Sequence, residues 1–230
     1  MISFRFATLA CLLAAPVAGQ VATPNPIKVV LVGDSTVNDE GGWGTGFRDT
    51  LGNAVKVVNL ALNGRSTKSF HDEGHWPAAL AEKPDYILIQ FGHNDVPGKG
   101  PDRETDASTS YRDNLARYVG EARAAGAKPI LVTSIVRRVF TRDGKFKPDS
   151  LVPYVEAVRA VALGLNVPVM EMYERTREQA EQLGPEGCAK LNAVTKDGKP
   201  DTTHLGPEGR KQVGILAANE FVKLVPDAGK

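Results

Sequence analysis

Five residues spread along the chain have groups suited to moving an acyl unit. They are Ser35 in "GDST", Gly64 in "NGRS", Asn94 in "GHND", and Asp201 and His204 in "DTTHL". Acyl transfer needs a nucleophile, a base to take its proton, and a group that orients the base. Ser35, His204 and Asp201 have the right types for those roles. The i, i+3 spacing of Asp201 and His204 lets both side chains reach one place from a single turn. The reaction also needs donors for a developing oxyanion. The backbone N–H groups of Ser35 and Gly64 and the side-chain amide of Asn94 are suitable, and Gly64 has no side chain to obstruct a carbonyl. Taken singly, each residue has a plainer explanation. A serine after Gly-Asp caps or turns the chain, Asn94-Asp95 is a turn signal, and Asp201 and His204 fit a surface turn. Only the set is specific.

Such a set must be carried by a scaffold that ends several elements on one rim. Short Val- and Ile-rich runs at 27–32, 55–62, 85–92, 128–135 and 166–172 read as strands covered on both faces, because they do not alternate with polar residues. Helical stretches lie between them. Tyr111, Leu115, Tyr118, Val119 and Ala122 share one face of a helix that "GAKP" stops. Residues 154–165 and 171–183 read as further helices. A last helix starts near Pro207 with an apolar stripe of Val213, Ala217, Phe221 and Leu224. Asp143-Gly144 between Phe140 and Phe146 predicts a small hairpin. This βαβ rhythm implies an open parallel α/β sheet with helices on both sides. Ligands of such sheets bind beyond the carboxyl ends of the strands. The polar clusters fall there: "GDST" follows the first run, Gly64 the second and Asn94 the third.

Composition narrows the remaining classes. At 230 residues with 42% hydrophobic and 24% charged content, the chain suits one ordinary globular domain. The net charge of +1 gives none of the basic excess expected of a nucleic-acid binder. "MISFRFATLACLLAAPVAGQ" reads as a secretory signal: one cation, an apolar run from Ala7 to Ala18, then small residues. That run is too short to span a bilayer. The expectation is a signal over residues 1–19, a single domain over 20–230, export to the periplasm or the medium, and no membrane association. Cleavage there removes Arg5 and Cys11, leaving Cys188 without an intrachain partner. Cys188 lies in "LGPEGCAKLN", with no motif around it.

The four blocks that carry Ser35, Gly64, Asn94 and His204 resemble those of the SGNH, or GDSL-like, hydrolases. "GDSTV", "GWG", "NGRSTKSF", "DEGHW", "QFGHND", "VTSIVRR" and "DGKPDTTHL" together resemble the rhamnogalacturonan acetylesterase branch of the carbohydrate esterases, in order and over nearly the whole chain after the signal. The resemblance implies a flavodoxin-like three-layer α/β/α sandwich around a five-stranded parallel sheet. It implies Ser35, Asp201 and His204 as catalytic triad and Ser35, Gly64 and Asn94 as oxyanion hole. It also implies an acetylated polysaccharide or oligosaccharide as substrate, with no metal or other cofactor. Lys68 in "STKSF" departs from the arginine of many relatives and lacks its planar fork.

Other readings fit less well. The same machinery could serve a lipid ester or a thioester. A metal-dependent phosphoesterase would show Gly-Asn-His-Asp and an upstream Asp-x-His, whereas this chain has Gly-His-Asn-Asp. His71 and His75 have a metal-like i, i+4 spacing but no partner carboxylate motif. Neither phosphate-binding glycine motif follows the first strand, and G-x-S-x-G is missing there too. A non-catalytic carbohydrate-binding module would have no need of Ser35, His204 and the oxyanion donors together.

Overall fold

A computed structural model describes residues 1–2, 26–147 and 150–229. The apolar run from Ala7 to Ala18, its cleavage region and the domain boundary at residue 20 lie outside the described residues. Five strands form one parallel sheet: β1 (Ile27–Gly33), β2 (Val55–Asn59), β3 (Tyr86–Gln90), β4 (Lys128–Val132) and β5 (Val169–Met170). Their spatial order is β2-β1-β3-β4-β5, the flavodoxin-like order, whose switch point lies between β1 and β3. The register pairs Leu31 with Leu88 and Gly33 with Gln90, so β1 and β3 end level with one another.

Successive side chains of β1 point to opposite faces, and both faces are covered. Val30 and Val32 join Ile87, Ile89 and Leu131 in the core beneath α2 (Thr67–Asp72), α3 (Trp76–Ala81), α4 (Ser110–Ala124) and α5 (Val152–Leu165). Val29 and Leu31 join Leu88, Ile130 and Val132 beneath α1 (Gly44–Leu51) and α7 (Pro207–Leu224). The five α4 residues placed on one face are all buried. In α7, Val213, Ala217 and Phe221 are buried as the stripe predicts, but Leu224 is 39% exposed. The helix ends there, and the following Val225 is buried instead.

The second and fifth runs pair over fewer residues than their apolar lengths predict. Beyond β2 the chain still follows β1, because Leu60 N–H donates to the Leu31 carbonyl and Leu62 N–H to the Gly33 carbonyl. The helix read at 171–183 is α6 (Met172–Ala189), which continues past a break at Gly184, where φ is 63°. Phe140 and Phe146 form the antiparallel bridge expected around Asp143-Gly144.

α1 and α7 cross at backbone contact. A Cβ on Gly46 would lie 2.2 Å from the Arg210 carbonyl oxygen, and one on Gly214 would lie 2.3 Å from the Gly46 carbonyl carbon. This crossing ties the segment after β1 to the segment at the end of the chain. Between α6 and α7 lies a feature with no counterpart in the sequence reading: a two-stranded antiparallel ribbon of β6 (Asn192–Val194) and β7 (Pro200–Leu205).

Candidate active site

The end of β1 is held by a chain of buried hydrogen bonds. Asp34 Oδ1 accepts from the Thr36 N–H at 2.8 Å and the Thr36 hydroxyl at 2.7 Å. Thr36 Oγ1 in turn accepts from Gln90 Nε2 at 2.8 Å, and Gln90 Oε1 accepts from Trp43 Nε1 at 2.9 Å. The tip of β1 is thereby fixed to the end of β3. Burial raises the Asp34 carboxyl above its usual range, with the Thr36 donors acting against that. Ser35 stands on this tip, 9% exposed.

The loops after β2 and β3 brace each other. Asn94 Nδ2 donates to the Arg65 carbonyl at 3.0 Å. Its neighbour Asp95 accepts from the Thr67 N–H at 3.0 Å, from the Thr67 hydroxyl and from the Thr105 hydroxyl. Ser66 and Ser69 close a capping box at the start of α2. Gly64 therefore sits between anchored residues, at φ +76°, a conformation that favours glycine. Among the described residues the N–H groups of Ser35 and Gly64 have no hydrogen-bond partner, and Asn94 Nδ2 keeps its second N–H free. These are three donors in fixed loops, of the kind an oxyanion requires. Burial pushes the Asp95 carboxyl up to about 7 against the pull of its Thr67 and Thr105 donors.

Asp201 and His204 ride on β7, and its irregular pairing explains how they meet. Asn192 pairs with Leu205 and Ala193 with Asp201, so Thr202, Thr203 and His204 bulge out against adjacent β6 residues. Asp201 Oδ1 accepts the N–H groups of Thr203 at 2.9 Å and His204 at 3.0 Å, curling the bulge into a turn. Asp201 Oδ2 then lies 2.7 Å from His204 Nδ1, and His204 Nε2 lies 2.8 Å from Ser35 Oγ. Since the carboxylate accepts, Nδ1 carries the proton and the Nε2 lone pair faces the serine hydroxyl. Burial opposes the ionisation of Asp201. The backbone N–H groups of His204 and Thr203 and the His204 ring outweigh it and hold the carboxyl below its usual range.

The other three histidines are engaged elsewhere. His71 pairs with Glu121 and His75 with Glu73. His93 is buried with Nε2 3.1 Å from the Ile135 carbonyl. Burial and the charge of Arg137 hold its ring well below the usual imidazole range. Lys68 pairs with Asp72 at 2.9 Å on the exposed face of α2. Cys188 is buried, and burial raises its thiol, so it remains protonated.

All five residues singled out by type and spacing thus lie around the ends of β1, β2 and β3 or on β7 across from them. Reasoning from sequence missed the bracing residues: Thr36, Gln90, Thr67 and, on the β7 side, Arg138 and Asn192. The position of Asp95 beside Asn94 was a signal for the second brace, but a turn reading absorbed it.

A serine–imidazole–carboxylate relay at the switch point of a five-stranded parallel sheet defines a hydrolase of the SGNH type. The chain belongs to the GDSL-like Lipase/Acylhydrolase family, whose description matches residues 31–212. It is 36% identical over 217 residues to rhamnogalacturonan acetylesterase RhgT of Bacillus subtilis (strain 168), covering 86% of this chain and 91% of that one. It is 31% identical over 213 residues to probable rhamnogalacturonan acetylesterase YesY of the same organism, covering 85% of this chain and 97% of that one. The crystal structure of protein YXIM from Bacillus subtilis superposes with a TM-score of 0.74 at 23% identity. That match covers 89% of this chain and 58% of the longer protein. An acetylxylan esterase from Geobacillus stearothermophilus superposes with a TM-score of 0.63 at 18% identity, covering 90% of this chain and 97% of that one. At such identities these two structures bear on the fold alone.

Proposed function

We propose that this protein is an exported serine esterase that removes O-acetyl groups from the acidic backbone of pectic polysaccharide. The observation that carries the chemistry is the Ser35–His204–Asp201 chain, with links of 2.8 and 2.7 Å. In this reading the Ser35 hydroxyl attacks the acetyl carbonyl carbon as His204 Nε2 takes its proton. The carbonyl oxygen becomes an oxyanion facing the N–H groups of Ser35, Gly64 and Asn94. Collapse expels the sugar oxygen, which takes the proton from His204. Water then attacks the acetyl-enzyme with His204 again as base, giving acetate and free Ser35.

The substrate class is supported by the relatives and by the rim. A Cβ on Gly64 would lie 3.6 Å from Arg103 Nη1. Among the described residues the Arg103 guanidinium has no hydrogen-bond partner, and a sugar carboxylate would supply one. Asn38, Asn63 and Glu40, joined by hydrogen bonds of 2.8 and 3.0 Å, make this part of the rim polar. Sugar hydroxyls match it better than an acyl tail. The N-terminal apolar pattern supports export, which N-terminal sequencing of protein recovered outside the cytoplasm tests.

The deciding experiment is acetate release from acetylated rhamnogalacturonan and from acetylated xylan by the wild type and by Ser35→Ala. The expected result is release by the wild type alone, faster from the acidic glycan. Equal release by both proteins sinks the enzymatic reading. A preference for the neutral glycan sinks the pectic one.

A further inference from the structure

Arg138 belongs to "VTSIVRR", a block to which no chemical role attaches in the sequence. It is 5% exposed, and its neighbours include Val136, Ala180, Cys188 and Leu191. Burial draws the guanidinium down to about 10. A buried charge is costly unless its donors are well satisfied. Among the described residues no carboxylate accepts a hydrogen bond from it. Its acceptors are neutral and all belong to the β6–β7 ribbon. The main-chain N–H of Arg138 donates to the Thr202 carbonyl at 2.9 Å. Nη2 donates to the His204 carbonyl at 2.7 Å, and Nε donates to Asn192 Oδ1 at 2.6 Å. Thr202 and His204 are the first and last bulged residues, and Asn192 is the β6 residue beside the break in register.

We propose that Arg138 is the positioning residue of the catalytic base, gripping both ends of the Thr202–His204 bulge so that the imidazole stays aligned on Ser35. The Asp201 carboxylate orders the N–H side of the same turn. Arg138 orders its carbonyl side. Between them the His204 N–H, the His204 carbonyl and the Thr202 carbonyl are all held. The alignment matters because the ring serves two partners in turn, the Ser35 hydroxyl and the leaving sugar oxygen. A misplacement of about 1 Å in such a group lowers rate by about 10²-fold. This role rests on the ester-hydrolase reading above, which wild-type hydrolysis of 4-nitrophenyl acetate tests separately.

The test compares wild type, Arg138→Met and Arg138→Lys on 4-nitrophenyl acetate, with thermal melts to establish that each is folded at the assay temperature. Arg138→Met keeps the length of the side chain and loses both donors. Its kcat is expected to fall about 10²-fold with KM within about twofold of wild type. Arg138→Lys recovers only part of the loss, because an ammonium lacks the fork that reaches both acceptors. A folded Arg138→Met with wild-type kcat overturns the proposal. So does a loss that matches the unfolded fraction in the melt. If Arg138→Met does not fold, Asn192→Ala carries the test, since it removes one acceptor of the guanidinium and leaves the charge in place. A several-fold lower kcat at an unchanged melting temperature supports the grip, and an unchanged kcat overturns it.

Discussion

Ser35 lies just beyond a strand that is hydrogen-bonded on both sides, between Asp34 and Thr36, which are wholly inaccessible. Asp201 and His204 ride a short surface ribbon, with side chains 25% and 36% exposed. The nucleophile is thus placed by the sheet, through buried links from Asp34 to Trp43. The base is placed by a local turn and by hydrogen bonds from one side chain, Arg138. The two regions also differ electrostatically. Burial dominates at Asp34 and Asp95 and raises both carboxyls. At Asp201 nearby donors win, and the carboxyl is held low. A nucleophile set among buried contacts thus meets a base that stays partly exposed to solvent.

The largest effects should come from breaking the link between the regions. Ser35→Ala and His204→Ala should each lower kcat by about 10⁶-fold, and the double variant by no more than either alone. Additive losses in acetate release would show two independent sites. Next, Asp201→Asn retains an acceptor for the Thr203 and His204 N–H groups but presents an amide to Nδ1. It should cost about 10⁴-fold in kcat with little change in melting temperature. On the buried side, Asn94→Ala removes one oxyanion donor and should cost about 10²–10³-fold in kcat. A smaller loss for Asp201→Asn than for Asn94→Ala would reverse the ranking of the two regions.

Gly46→Ala tests the tie between them without touching a reacting group. Its Cβ has no room against the Arg210 carbonyl, and overpacking of this kind costs about 1–3 kcal/mol. A denaturant melt should show that loss, and a neutral result would mean the crossing can slide. The electrostatic side of the contrast is tested by pH. Asp95, raised to about 7, holds its proton more tightly folded than unfolded. Its contribution is full below the unfolded value of about 4 and declines as pH rises to 7. Asp201 does the reverse: its contribution is present above about 4 and is lost as pH falls through its lower folded value. Melting temperatures from pH 3 to 8 should therefore flatten between about 4 and 7 in Asp95→Asn, and below about 4 in Asp201→Asn. If both variants flatten the same window, the contrast fails.

The sheet was readable because runs such as 27–32 and 85–92 are rich in Val, Ile and Leu and do not alternate with polar residues, as strands covered on both faces do. The polar cluster after each strand located one rim before any contact was known. The β6–β7 ribbon was not readable. Its strands are short and polar, and the bulge that aligns Asp201 with His204 follows from pairing with Asn192, which leaves no period in the sequence. Arg138 and Asp95 were hidden for a related reason. An arginine beside a second arginine and an aspartate in a turn read as solvated until their partners, far along the chain, are known. Leu224 shows the opposite error: the helical stripe continued on paper to the last residue of α7, where the side chain is exposed and Val225 is buried in its place.

The glycine crossing of α1 and α7 bears on how the enzyme is made. Ser35 and His204 are 169 residues apart, and the helix that holds them together is near the end of the chain. During synthesis the sheet can assemble from the amino-terminal side while α7 is still to come. Gly46 and Gly214 then admit α7 to its seat in the last stage, where it joins Arg138 and the Leu205 N–H to Gly41 carbonyl bond in holding β7 beside the Ser35 loop. A chain halted before α7 would hold a complete sheet and an intact Ser35 but would lack the α1–α7 crossing.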